Sequence, residues 1–241
     1  MWRPSDHAAL PLLFLKKIAI VYHCLFQVGE RILPQAVEII TDQMIRLHRS
    51  GLLSVASEMY AGINGGAESE FPADCVLPGK ALKVYHGLQC RNELRTLMLL
   101  QEIMEGRSDW LVLYFHSKGA TKDVPQPNIT NWRNCLMNNL VSNWRNCAEL
   151  LENGHDSVGC HWLTGQVDGT QNLWGGNFWW ATSEYLATLP PIENHPRIPL
   201  MGGIDSEQSR YEAEVWLGSG PRLPRVKDFH PGWPFNHRKE S

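Results

Sequence analysis

Trp110-Leu111-Val112-Leu113-Tyr114-Phe115-His116-Ser117-Lys118-Gly119 is the stretch whose reading decides the fold. It opens with six apolar or aromatic residues and no charge. Such a run fits a strand buried on both faces, at the centre of a mostly parallel sheet. The run then delivers a histidine, a serine, a lysine and a glycine into a loop. In open α/β sheets, ligands gather at the C-terminal ends of the strands. Lys118 there could neutralise a diphosphate, and Gly119 would let backbone amides approach it. The same four residues also read as a solvated turn with an exposed lysine.

On the N-terminal side, Lys17–Cys24 reads as a buried strand and Ile32–Arg49 as a helix ending at Ser50-Gly51. Leu53–Ile63 reads as a second strand halted by Asn64-Gly65-Gly66, and Ala81–Tyr85 as a shorter one. Asn92–Met104 carries Leu94, Leu97, Met98, Leu100 and Ile103 near one face and is a helix, with Asn92 as N-cap. On the C-terminal side a Pro-rich loop, 124–128, precedes a long helix over Thr130–Asn153. Within it Asn131–Cys135 (NWRNC) recurs as Asn143–Cys147, about 120° round the helix, which reads as coincidence. Asp156–Trp162 and Asn177–Ala181 (NFWWA) read as strands around an irregular, Gly-rich 164–176. Glu184–Thr188 makes one helical turn and Ser206–Leu217 the last helix. Strands alternating with helices give an α/β fold with a mostly parallel central sheet flanked by helices. The chain reads as one domain over 1–241, with a core at about 17–217 and an irregular tail, 218–241.

Composition narrows the function classes. Formal net charge is −3 with no long basic run, which gives no electrostatic footprint for nucleic acid. The six cysteines form no C-x-x-C pair, and no secretory signal accompanies them, so reduced and mostly buried thiols in a cytoplasmic protein are expected. The apolar run Ala8–Leu15 is too short to span a bilayer. Trp2, Leu12, Leu13 and Phe14 leave room for at most a peripheral membrane contact. Ten tryptophans are enough both to fill a core and to form a flat platform for a sugar face.

Three further clusters could carry chemistry. In Gly175-Gly176-Asn177-Phe178-Trp179-Trp180, two glycines suggest a backbone passing close to something. Trp179 and Trp180 point to opposite faces of a strand, so at most one can face a sugar, and both can pack inside. In Tyr211-Glu212-Ala213-Glu214-Val215-Trp216 the two carboxylates project about 200° apart and cannot work as a close pair. Tyr211, Val215 and Trp216 read as inward anchors. Glu214 reads as a base, or as the ion-pair partner of Arg210. In His230-Pro231-Gly232-Trp233, with Asn236 and His237 beyond, His230 is a weak metal-ligand candidate. No G-x-G-x-x-G follows the first strand, and Walker A, G-x-S-x-G and Asp-x-Asp signatures are all lacking.

Taken in order, these stretches resemble one group of glycosyltransferases. The series is Tyr22-His23, Ser50-Gly51-Leu52, Glu93-x-x-Thr96, Tyr114-Phe115-His116-Ser117-Lys118-Gly119, Trp132-Arg133-x-x-x-Met137 and Asp156-x-Val158-Gly159. It closes with Gly176-Asn177-Phe178-Trp179-Trp180-Ala181, Tyr185-x-x-x-Leu189-Pro190 and Tyr211-Glu212-Ala213-Glu214-x-Trp216. The series is similar to GT-A-like (Rossmann-like) domains of bacterial surface-polysaccharide and large-DNA-virus glycosyltransferases, related to rhamnan-synthesis proteins. It covers about residues 17–217. The resemblance implies a nucleotide-sugar donor, such as a UDP-sugar, and a saccharide or other hydroxyl acceptor. Tyr22 and His23 would hold the donor with Lys118 and Gly119, and His116 would join the diphosphate contacts. Asn177, Trp179 and Trp180 would frame the acceptor, and the Glu-x-Trp ending selects Glu214 as base. Without Asp-x-Asp, and lacking a His before Gly-Asn-Phe-Trp-Trp, the chain departs from the pattern. No cofactor is fixed, Mn²⁺ and Mg²⁺ stay open, and the tail is similar to the His-x-x-Gly tails whose His binds metal. A carbohydrate- or nucleotide-binding module without turnover is the alternative, as is a transferase acting on modified DNA bases.

Overall fold

The structure is a computed structural model, and it describes residues 16–25, 27–28, 31–64, 73–87, 90, 92–122, 124–165 and 171–231. The uncharged run is strand β6, and every residue from Trp110 to Phe115 is buried. In chain order the strands are β1 (Lys17–Leu25), β2 (Gln27–Val28), β3 (Arg31–Ile32), β4 (Glu58–Asn64), β5 (Ala81–Gly87) and β6 (Trp110–His116). They continue with β7 (Ser157–Gly159), β8 (Trp162–Gly165), β9 (Gln171–Trp174), β10 (Trp179–Thr182) and β11 (Val226–Asp228). Seven of them form one sheet in the order β11-β7-β10-β6-β1-β4-β5, while β2–β3 and β8–β9 are small antiparallel pairs. Strands β6, β1, β4 and β5 run parallel, β10 lies antiparallel between β6 and β7, and β11 is parallel to β7. This is the mostly parallel α/β sheet that the sequence implies.

The helices are α1 (Pro34–Arg49), α2 (Leu52–Val55), α3 (Ala73–Val76), α4 (Leu94–Met104), α5 (Pro127–Met137), α6 (Trp144–Glu152), α7 (Ser183–Leu186) and α8 (Arg210–Val215). Strand alternation sorts them onto two faces. Ile18, Ile20, Tyr22 and Cys24 of β1 pack with Leu111, Leu113, Phe115 and Trp180 under α1, α5 and α6. Ala19 and Val21 pack with Val112, Tyr114 and Trp179 under α4, α7 and α8. Each face therefore receives one ring of the Trp179-Trp180 pair.

The local differences from the sequence reading have physical causes. Leu53–Ile63 is not one strand: Gly51, with φ +77°, starts the short helix α2, and β4 begins only at Glu58. The long helix is two, because a π-helical turn over Asn138–Ser142 separates α5 from α6. That turn gives the repeated NWRNC copies different jobs, since Trp132 stays half-buried while Trp144 is buried and donates its indole N–H to the Ser50 carbonyl. Asp156–Trp162 breaks into β7 and the start of β8, with His161 at φ +64° between them. Part of the irregular 164–176 is strand β9. The last helix is only α8, flanked by 3-10 turns. Tyr211 is no inward anchor, being 52% exposed, whereas Val215 and Trp216 are buried. All six cysteines are free thiols, and Cys75 is exposed. The proposed membrane-contact residues, the Gly65-Gly66 turn and residues 232–241 lie outside the described residues. Among the described residues no helix is long and apolar enough to cross a membrane.

Two carboxylates fasten the end of the chain to the sheet. Asp156, just before β7, accepts from Arg222, from Arg225 and from the Arg225 backbone N–H at 2.6 to 3.2 Å. Asp228, at the end of β11, accepts from the backbone N–H groups of His161, Trp162 and His230 at 2.8 to 2.9 Å. Hydrogen bonds from the two arginines hold the Asp156 carboxyl well below its ordinary range, against the opposing effect of burial. A depressed carboxyl stabilises the fold above its unfolded value, near 4, and loses that effect as pH falls toward the folded value. Asp156→Asn should therefore lower the thermal midpoint by a few degrees at pH 7, with the gap from wild type narrowing below pH 4. Thermal unfolding at pH 7, 5 and 3 checks this, and an equal gap at all three would contradict it.

Candidate active site

The chain passes from β5 through α4 and re-enters the sheet on the other side of β1 as β6. A crevice is expected outside the strand ends at such a reversal. A cavity of about 290 Å³ lies there. His23 and Leu25 from β1, His116 from β6 and the 117–122 loop form one side. Asn92 and Glu93 before α4, Ile129 and Trp132 of α5, and Glu207, Arg210 and Glu214 complete it.

His23 and His116 are register partners across β1 and β6. The loop beyond is tied to β1, since Ser117 donates its backbone N–H to the His23 carbonyl at 3.0 Å and accepts from the Leu25 N–H at 2.9 Å. His116 Nε2 lies 2.8 Å from the Gly176 carbonyl, which can only accept, so that nitrogen carries the proton. Its Nδ1 is then bare and stands 3.7 Å from Glu93 Oε1. Burial, with Lys118 beside it, pushes the His116 imidazole down to about 3, so it is neutral.

Gly119 makes the turn after Lys118. Its φ is +93°, and a Cβ would meet Ile129 Cγ2 at 3.0 Å and Arg133 Nη1 at 3.2 Å. Arg133 donates to the Lys118 carbonyl at 2.9 Å and fixes the loop from below. The Lys118 ammonium rests 3.6 Å from the centroid of the Trp132 ring. Burial lowers its affinity for a proton, and the charges of Glu214 and Glu93 pull it back up.

Glu93 is a site residue to which the sequence reading gave no role. Its Oε2 accepts from the Tyr114 hydroxyl at 2.8 Å and from Asn177 Nδ2 at 2.9 Å. Burial pushes its carboxyl up to about 7, against those two hydrogen bonds and the nearby Lys118 and Arg210. Glu214 is raised as well, chiefly by burial, with Lys118 acting downward and Glu93 upward. The cavity thus holds Lys118 together with two carboxyls, Glu93 and Glu214, that titrate above their usual range. Glu93 stands in the Glu93-x-x-Thr96 pattern, which was its only sequence signal.

The candidates do not all meet here. His23, His116, Lys118, Gly119 and Glu214 line the cavity. Tyr22 does not: it is fully buried, donates to Gln43 Oε1 at 2.7 Å and packs on Phe115 at 4.6 Å. Trp179 and Trp180 are both core, the first stacked on Tyr114 at 5.0 Å and the second donating to the Leu140 carbonyl. Asn177, at φ +51°, is buried behind Glu93 and also accepts from the Trp179 indole at 2.8 Å. What Gly176 passes close to is Trp132, since a Cβ there would lie 2.9 Å from that ring. Glu212 turns away from the cavity and is buried against Arg197 Nε at 3.2 Å and His195 Nδ1 at 3.0 Å. Arg210 pairs with Glu207 at 3.3 Å. His230 is exposed, its ring 6.0 Å from that of His161.

No group of three or more His, Cys, Asp or Glu among the described residues is placed to hold a metal ion. Of the cavity carboxyls, Glu93 and Glu214 act on the charge of Lys118, and Glu207 pairs with Arg210. This donor set does not fit a divalent cation.

No protein-family model matches the chain, and no curated protein matches it. Solved structures match at low identity. A 4-diphosphocytidyl-2C-methyl-D-erythritol synthase from Anaerococcus prevotii is 11% identical, with 91% of this chain and 88% of that one covered and a TM-score of 0.39. A protein described as a "putative nucleotide-diphospho-sugar transferase" from Desulfovibrio desulfuricans is 7% identical, with 90% of this chain and 81% of that one covered and a TM-score of 0.41. Glucosyl-3-phosphoglycerate synthase from Mycobacterium tuberculosis, solved with Mn²⁺, UDP and phosphoglyceric acid, is 16% identical with a TM-score of 0.37. That match covers 73% of this chain and 58% of the synthase.

A carboxyl raised in the folded state favours folding below its unfolded value, near 4.5, and loses that contribution as pH rises through 7. Glu93→Gln should remove this loss. Wild type should become less stable than the variant by up to roughly 3 kcal/mol between pH 4.5 and 8. Urea unfolding across that range measures it, and parallel pH profiles for the two proteins would show that Glu93 titrates normally.

Proposed function

We propose that the protein is a glycosyltransferase, with a GT-A-like domain of the surface-polysaccharide and large-DNA-virus type spanning 1–241. It would work in the cytoplasm and move a sugar from a nucleotide-sugar donor to a saccharide or other hydroxyl acceptor. The observation that carries this reading is that Lys118 lines a cavity at the C-terminal ends of β1 and β6 together with Glu93 and Glu214, whose charges act on it.

The chemistry follows from the residues present. Lys118 and the Gly119 backbone meet the donor diphosphate, and Lys118 takes up the charge that grows on it as the bond to the anomeric carbon breaks. His116 is neutral and borders the diphosphate space, its Nδ1 3.7 Å from Glu93 Oε1. Glu214 accepts the proton of the attacking hydroxyl, and its raised proton affinity suits that task near neutral pH. His23 borders the donor space. Trp132, rather than the buried Trp179 and Trp180, is the tryptophan at hand for a sugar face. No step is routed through Mn²⁺ or Mg²⁺.

Release of nucleoside diphosphate from a panel of nucleotide sugars and acceptors tests the reading. Lys118→Ala should cost roughly 1.5 to 3 kcal/mol of transition-state binding, about ten- to a hundredfold in kcat/KM, with folding intact. Glu214→Gln should lower kcat by a factor on the order of 10² to 10⁴ with donor binding retained. Activity should survive EDTA. A protein that binds donor but never releases diphosphate is a binding module instead, and loss of turnover with chelator, restored by Mn²⁺, would overturn the metal-free mechanism.

A further inference from the structure

The cavity also touches a polar row that the proposed transfer does not use. His23 lines the cavity and is only 3% exposed. Its Nδ1 lies 2.8 Å from the hydroxyl oxygen of Thr96, and the same oxygen lies 3.0 Å from Nε2 of His86. Thr96 is fully buried within α4. His86 is half-buried on the edge strand β5, next to exposed Gly87. Three side chains from three elements thus run without a gap from the cavity to the rim of the sheet. Gly62 on β4 makes room for them, since a Cβ there would fall 2.2 Å from Thr96 Oγ1 and 2.6 Å from His86 Nε2.

One hydroxyl between two imidazoles imposes a rule. It has a single proton to donate and two lone pairs to accept with, so at most one of the facing nitrogens can be bare. Both rings are neutral and carry one N–H each. Burial depresses His23, with His116 and His86 adding to the effect. Burial and then Arg95 push His86 down to about 4, opposed by Asp205. When the hydroxyl gives its proton to one facing nitrogen, the opposite nitrogen must carry a proton of its own. The tautomers are then coupled through Thr96.

We propose that His23, Thr96 and His86 form a proton path between the cavity and solvent. A proton from the cavity binds His23 Nε2, and His23 Nδ1 gives its own to the Thr96 oxygen. Thr96 passes its former proton to His86 Nε2, and His86 Nδ1 releases one to water. One proton enters, one leaves, and both rings exchange tautomers. The reverse passage, from water to a leaving group in the cavity, restores the start. Thr96 is a positioning residue, acting through the two histidines.

Long-range ¹H–¹⁵N NMR of the imidazoles in the free protein tests the coupling without any assumption about activity. The expected result is one protonated and one bare nitrogen facing Thr96, the pairing lost in Thr96→Val and restored in Thr96→Ser. Two bare or two protonated facing nitrogens in wild type would overturn the proposal. The path itself rests on the transferase reading above. In that assay Thr96→Val should lower kcat at least about tenfold with donor KM unchanged, and Thr96→Ser should recover it. Coupled tautomers with full turnover in Thr96→Val would overturn the path. Coupled tautomers in a protein that transfers nothing would overturn the function and the path with it, leaving only the coupling.

Discussion

Lys118, Glu93 and Glu214 share a cavity where the apolar strand β6 leaves the sheet, and much of the molecule is organised by that arrangement. Charges taken out of water cost several kcal/mol each unless they are matched by partners and hydrogen bonds. Here the matching is incomplete. Lys118 has the Trp132 ring and the fields of Glu93 and Glu214, and Glu93 has two donors, yet burial still wins and its carboxyl rises to about 7. His116 stays neutral for the same reason. A cavity with an undercompensated cation and proton-holding carboxyls is suited to receive an anion and to take a proton.

Rigid surroundings keep the cluster in place. Tyr114 and Asn177 reach Glu93 from β6 and from the turn before β10, and Trp179 ties those two together by stacking on Tyr114 while donating to Asn177. Trp179 thus serves the site by building the wall behind Glu93, while Trp180 packs on the opposite face of the sheet. Below the loop, Arg133 holds the Lys118 carbonyl and Gly119 leaves space for that guanidinium. Glu212 fixes the segment around His195 and Arg197 and leaves Glu214 to the cavity.

Much of this was legible in the sequence where a local pattern had one physical meaning. The uncharged strand read as central, as it is, while its His-Ser-Lys-Gly end read equally as a ligand loop or a solvated turn. Opposite faces for Trp179 and Trp180 followed from strand periodicity. That both faces are buried did not, because β10 lies between β6 and β7 and nothing local separates a central strand from an edge one. Alternation already put Tyr22 on the side of Ile20 and Cys24, away from His23, and that signal argued against a donor role. Glu93 was hidden because its partners stand 21 and 84 residues away. The break in the long helix needed a π-helical turn that no spacing announces.

The central claim is that the cavity around Lys118 receives a diphosphate beside Glu93, whose carboxyl burial pushes up to about 7. Calorimetric titration of the protein with the common nucleoside diphosphates at pH 7, in buffers of differing ionisation enthalpy, tests it directly. A bound anion raises the proton affinity of a neighbouring carboxyl, so binding should draw a fraction of a proton from the buffer. Glu93→Gln should bind with no such uptake. Binding without proton uptake in the wild type, or binding by none of the diphosphates, would contradict the account.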